Sequence, residues 1–290
     1  MLRDEAYGWL KLGEIAPSLL VETRLQAVWA GRLVSAVGAA HLPVLPDDLQ
    51  TSLEWLSGPE LLASEPPLRG RAFRAGFRVS NFSLVVLDGM SRPMEEFALD
   101  RRTLDDARAW LEEVIAEYRD EERVRVQLPL QGPPVHPVAG GRVFELEAAN
   151  ASLELARWYA GAEVILRELA TITPHATPVR CWPEHLDLCT SIVVTAAADA
   201  RPAQSIVVGM SPGDVFMAEP YWYVALDPYT SASALPALGH GADWHTHGWV
   251  GAVLRARKLL PGSASGQRER LVAFLEESIA AARDLFRTGA

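Results

Sequence analysis

Ala109-Trp-Leu-Glu-Glu-Val-Ile-Ala-Glu-Tyr-Arg-Asp120 and Ala273-Phe-Leu-Glu-Glu-Ser-Ile-Ala-Ala-Ala-Arg-Asp284 agree at most positions, and each closes its half of the chain. The first copy opens behind Thr103-Leu-Asp-Asp106, a capping-box pattern that predicts a helix running to about residue 120. Upstream, an apolar helix is expected over 16–39. Runs rich in Val, Leu and Phe at 51–56, 71–79, 82–87 and 95–99 read as strands separated by Gly, Pro, Asn and Ser. The second half repeats this order: a helix over 149–172, strands at 180–195, 204–210, 219–226 and 244–254, and a helix over 266–286. Trp29-Ala-Gly31 in one opening helix answers Trp158-Tyr-Ala-Gly161 in the other. Convergence on Ala, Leu and Glu is the plain alternative, because any amphipathic helix favours them. Shared order and shared sequence together point to an internal duplication. The expected fold is α+β, mainly antiparallel sheets with flanking helices in two pseudo-repeated α–β4–α halves. These are residues 1–130 and 140–290, divided by a Pro-rich loop around 132–137 and packed as one compact unit.

Composition sets the class. An apolar content of 49% with 22% charged residues belongs to a globular chain, and 290 residues bury a core without disulfides. A net charge of −10 and the lack of any basic run argue against a nucleic-acid partner. The apolar stretch 18–40 is broken by Glu22, Arg24 and Arg32, so no membrane span or membrane partner is expected. Met1 to Leu10 carries acidic residues and no apolar core of a secretory signal. The two cysteines, Cys181 and Cys189, would lie about 26 Å apart if they shared one strand. They read as free thiols in a reducing compartment, which gives a cytoplasmic expectation.

Candidate chemistry gathers between Trp182 and Trp249. Side chains alternate faces along a strand, so parity sorts them. His185 and Asp187 share a face in Trp182-Pro-Glu-His-Leu-Asp-Leu188, as do Glu219, Tyr221 and Tyr223 in Glu219-Pro-Tyr-Trp-Tyr223, and His245 and His247 in Trp244-His-Thr-His-Gly-Trp249. Imidazoles with a carboxylate suit a divalent metal such as Zn, Fe or Mn, and an open position on it activates water. The metal ligands are then His185, Glu219, His245 and His247, with Asp187 or Glu184 as general base. Trp182, Asp214, Tyr221, Tyr223 and Trp249 would line the ligand pocket. The alternative is amphipathic packing, with the polar tips of His, Trp and Tyr bonded locally. Trp222, on the apolar face, reads as core.

Two motif matches fail on chemistry. Gly239 followed by His245-x-His247 resembles the start of a cupin metal motif, but the expected Glu and a second motif are missing. Gly209-Met-Ser-Pro-Gly213 fits the hydrolase pattern G-x-S-x-G. There the oxyanion hole needs the N–H of the residue after the nucleophile, and Pro212 has none. Pro212-Gly213 reads instead as a turn between strands, with Asp214 capping it.

The runs Val179-Arg-Cys-Trp-Pro-Glu-His-Leu-Asp187, Val208-Gly-Met-Ser-Pro-Gly-Asp214, Glu219-Pro-Tyr-Trp-Tyr223 and Trp244-His-Thr-His-Gly-Trp249 resemble a bacterial protein family built on a domain of unknown function. The resemblance spans most of the chain and implies no activity. It does imply that the Glu184 position carries a second His or similar residue in relatives, and that the His247 position varies. His185, Asp187, Glu219 and His245 are then the firmer set. The functional expectation is a metal-dependent enzyme, with a hydrolase as one candidate class, acting on a small molecule. The alternative is a non-catalytic small-molecule-binding or oligomeric scaffold protein, in which the same residues form a structural network; a homo-oligomer is compatible with either.

Overall fold

A computed structural model describes residues 9–128, 135–146, 149–196, 203–229 and 235–288. The chain divides into two compact units. The first comprises Ser18–Ala156 and Arg180–Asp187; the second comprises Met1–Pro17, Arg157–Val179 and Leu188–Ala290. The division thus interleaves the chain, where the sequence suggested a single break. The loop expected at 132–137 lies partly outside the described residues.

In the first unit, α1 (Val21–His41) is followed by β1 (Leu53–Leu56), β2 (Leu61–Ser64), β3 (Phe73–Arg78), β4 (Ser83–Asp88), β5 (Pro93–Ala98) and α2 (Leu104–Arg119), with β6 (Arg180–Trp182) added from far along the chain. The strand order is β6-β1-β2-β3-β4-β5, with antiparallel pairings. β6 joins by pairing Cys181 with Leu53, and Arg180 meets Glu65 at 2.6 Å. The expected capping box forms: Asp106 N–H donates to Thr103 Oγ1 at 3.1 Å, and Thr103 N–H donates to Asp106 Oδ2 at 2.9 Å. Those bonds hold the Asp106 carboxyl below its usual range, the backbone one most of all. α1 is buried over most of its length and carries Gly31 and Gly38 on its packed side. A Cβ at Gly31 would collide with Leu186, and one at Gly38 would lie 2.5 Å from the carbonyl oxygen of Gln50. These glycines cost helix propensity and permit a close approach that no other residue allows.

α3 (Ala149–Ile172) contains the boundary between the units. The second unit holds β7 (Asp187–Thr195) from Leu188 onward, β8 (Gln204–Ser211), β9 (Tyr221–Asp227), β10 (Asp243–His245), β11 (Gly251–Arg255), α4 (Ala256–Leu259) and α5 (Ala264–Thr288). Its order is β10-β11-β9-β8-β7, again antiparallel, with α5 lying against β8, β9 and β11. Buried Gln267 fastens the N-terminal segment into this unit. It accepts from Leu12 N–H at 3.0 Å and donates to the carbonyls of Leu12 and Leu260 at 2.9 and 2.7 Å.

The fold is therefore α+β with antiparallel sheet, as the sequence patterning implied. The repeat is not established by it. β1 to β5 follow one another in chain order, whereas β7, β8, β9, β11 and β10 have their last two members transposed, and neither half has four strands. Among the described residues no helix is long and apolar enough to cross a membrane.

Candidate functional site

The residues singled out in the sequence fall into two groups. Trp182, Glu184, His185 and Asp187 belong to the first unit; Asp214, Glu219, Tyr221, Tyr223, His245, His247 and Trp249 belong to the second.

The first group does not lie on a continuous strand. After Trp182 the chain turns through residues 183–186, closed by Leu186 N–H donating to the Trp182 carbonyl at 2.8 Å, and Leu186 takes φ +56°. Parity reading from Trp182 to Leu188 therefore fails, because alternation is lost in a turn. Pro183, which cannot donate to a sheet ladder, was the signal for it. The turn buries Leu186 over Gly31 and leaves Glu184 and His185 exposed. Cys181 and Cys189 consequently sit on different strands, both buried and neither in a disulfide.

Beneath this turn lies a cavity of about 230 Å³, walled by Arg32, Ala36 and Ala39 of α1, by Thr51, and by Pro183 and Glu184. Arg32 donates to the carbonyls of Pro183 at 3.4 Å and Glu184 at 3.2 Å, and its guanidinium stands 4.8 Å from the Trp29 ring centroid. Burial lowers the pKa of Arg32, and the nearby Glu184 carboxylate opposes that shift. Arg32 was read in the sequence only as an interruption of an apolar stretch. Arg24 and Arg32 both interrupt the apolar helix, and the sequence carries no signal that separates half-buried Arg32 from buried Arg24.

In the second unit Tyr221 and Tyr223 do share a face of β9, with ring centroids 6.1 Å apart, while Trp222 is fully buried on the opposite side. Trp249 stacks at 6.4 Å and 19° on Tyr221, meets Tyr223 edge-on at 5.9 Å, and lies 4.5 Å from the His245 ring. Exposed Phe216 approaches His245 at 5.3 Å. Two glycines make room. Gly209 pairs with Tyr223, and a Cβ there would lie 2.6 Å from its ring; a Cβ at Gly251 would lie 2.5 Å from Trp249. The sequence reading missed Phe216, which follows the Pro-Gly-Asp turn and carries no periodic signal.

The polar groups of this unit are engaged in framing. Asp214 Oδ1 accepts from the N–H groups of Phe216 and Met217 at 2.8 and 2.7 Å, and Oδ2 accepts from the Tyr221 hydroxyl at 2.7 Å. Glu219 accepts from Arg257 N–H at 2.8 Å, at the start of α4. His245 and His247 have ring centroids 6.0 Å apart, but His245 Nε2 donates to the His247 carbonyl at 2.7 Å. His247 stands outside the strand, on an exposed bend, so strand parity does not set its direction. Ser211 is buried at the end of β8, its Oγ accepting from Gly213 N–H at 3.2 Å, and no helix follows it. Among the described residues, no group of three or more His, Cys, Asp and Glu side chains is arranged to hold a metal ion.

No family model, curated protein or solved structure matches this chain.

Proposed function

We propose that this protein binds a small molecule at the aromatic face formed by Phe216, His245 and Trp249, with Asp214, Glu219 and Tyr221 as its frame. The observation that supports this most is that Trp249 is half-buried, braced underneath by Tyr221 and Tyr223, while neighbouring Phe216 and His247 are exposed. A rigid, half-open indole beside an imidazole offers a stacking surface to a planar ring, and offset stacking of that kind contributes about 0.5–1.5 kcal/mol beyond area burial. Planar heteroaromatic molecules are the class that fits. Ligand-observed NMR with a panel of such fragments tests it. Binding that is saturable in the wild type and lost in Trp249→Ala supports the proposal; hits that bind both proteins alike refute it.

A second reading is a metal-dependent enzyme, a hydrolase, using Zn, Fe or Mn. The 6.0 Å spacing of the His245 and His247 rings favours it. His245 Nε2 is already bonded to a carbonyl, so Nδ1 would be the coordinating atom there. Elemental analysis of the purified protein separates the readings. Stoichiometric metal lost on His245→Ala supports the second; metal-free folded protein that still binds fragments supports the first.

A further inference from the structure

We propose that the molecule taken at the aromatic face is a planar heteroaromatic carboxylate, its ring on Trp249 and its carboxylate on Arg255. This rests on the reading of that face as a binding surface and names the class of molecule it holds.

The strand ladder places Arg255 on that face. Arg255 of β11 stands directly opposite Tyr221 of β9, and Val253 opposite Tyr223, so these four side chains leave one side of the sheet. Leu254, between them, stands opposite fully buried Trp222 on the other side. Gly251, four residues before Arg255, pairs with His245 of β10, which brings the imidazole to the same side. Tyr221 therefore has Arg255 as its ladder neighbour, about 5 Å away between Cβ atoms, and stacks with the Trp249 indole at 6.4 Å. A guanidinium on a long stem starts one side chain away from the stacking surface.

That guanidinium is unmatched. Among the described residues no hydrogen bond or ion pair reaches it, and its Nε is buried without a partner. The neighbouring carboxylates are engaged elsewhere, Asp214 with Phe216, Met217 and Tyr221, and Glu219 with Arg257. Asp243, opposite Val253, is exposed and lies beyond ion-pair distance. A donor shut away from water without an acceptor destabilises the protein, and a carboxylate accepting from two guanidinium N–H groups side by side would relieve that. One guanidinium in a chain of net charge −10, with Asp214 and Glu219 framing the face, balances a single negative charge. A phosphate monoester, at about −1.5 to −2, carries too much.

The test is calorimetric titration of the full chain with indole-3-acetate and quinoline-2-carboxylate, each beside its neutral amide. An acid should bind saturably and its amide about tenfold or more weakly. Trp249→Ala should lose both, which locates them on the aromatic face. Arg255→Gln should bring the acid down to its amide, leave the amide unchanged, and melt close to wild type, since it removes a donor that nothing in the fold accepts. Should Arg255→Gln fail to fold, the Arg255 Nε–H resonance of the wild type decides: the acid must shift it saturably and the amide must not. Acid and amide bound alike, and both lost in Trp249→Ala, overturn the carboxylate assignment while the aromatic face stands. Acid affinity unchanged in Arg255→Gln overturns it equally. If no ring of either charge binds at millimolar concentration, the assignment falls together with the reading it rests on.

Discussion

The Tyr221 hydroxyl donates to Asp214 Oδ2 at 2.7 Å, and the other oxygen of that carboxylate accepts from the backbone N–H groups of Phe216 and Met217. One carboxylate therefore joins β9 to the loop before it and fixes Phe216 where its ring meets His245. Replacing Asp214 with Ala removes three charge-assisted bonds and should cost about 3 kcal/mol, whereas Tyr221→Phe removes one and should cost about 1 kcal/mol. Urea denaturation gives both values. Amide exchange at Phe216 and Met217 should quicken in the first variant alone; equal exchange in the two would show that Asp214 does not set this loop.

Gln267 is the buried link between the N-terminal segment and α5. Gln267→Ala orphans the Leu12 N–H and two carbonyls, and leaving even one such group unsatisfied costs about 1–3 kcal/mol. The variant should lose at least about 2 kcal/mol in urea, and limited proteolysis should begin within 9–17. An unchanged midpoint with full protection of that segment would contradict this.

Gly38 offers a test with opposite signs. Helix propensity alone predicts that Gly38→Ala stabilises by about 1 kcal/mol. The added Cβ would lie 2.5 Å from the Gln50 carbonyl oxygen, a backbone atom that cannot swing aside. The variant should instead destabilise by about 1–3 kcal/mol, the usual range of overpacking. Thermal denaturation decides the sign.

Acid should weaken the first unit through Glu96. Burial raises the pKa of that carboxyl, but hydrogen bonds from Arg78, Ser83 and Asn81 outweigh it and hold the value at about 2. A depressed carboxylate stabilises the fold above its unfolded pKa of about 4.3 and loses that contribution as pH falls towards 2. Asp88, bonded to Arg92 and also held at about 2, acts over the same window. Glu96→Gln should flatten the acid limb of stability between about pH 4.5 and 2. A limb as steep as wild type would contradict the assignment.

Much of the architecture was legible from periodicity. Residues 149–172 were expected as a helix, and α3 occupies them; the Thr103 capping box and the strands β3, β4, β8 and β9 likewise follow their patterns. β2 was missed because Leu-Leu-Ala-Ser is four residues, all buried, with no alternation to read. The candidate site was legible where a strand truly runs, at Tyr221, Trp222 and Tyr223. It failed at His185 and His247, where a turn and a bend break the period of two. Nor could local sequence assign β6 to the first unit, since that rests on the pairing of Cys181 with Leu53, far away in the chain.

The central claim is that Trp249 presents a binding surface, and fluorine NMR of protein labelled with 5-fluorotryptophan tests it most directly. The chain has nine tryptophans, and the Trp249 resonance is assigned by its absence in Trp249→Phe. A planar heteroaromatic fragment should shift that resonance saturably and leave that of fully buried Trp222 in place. A Trp249 resonance unmoved by every fragment of the panel at millimolar concentration would contradict the account.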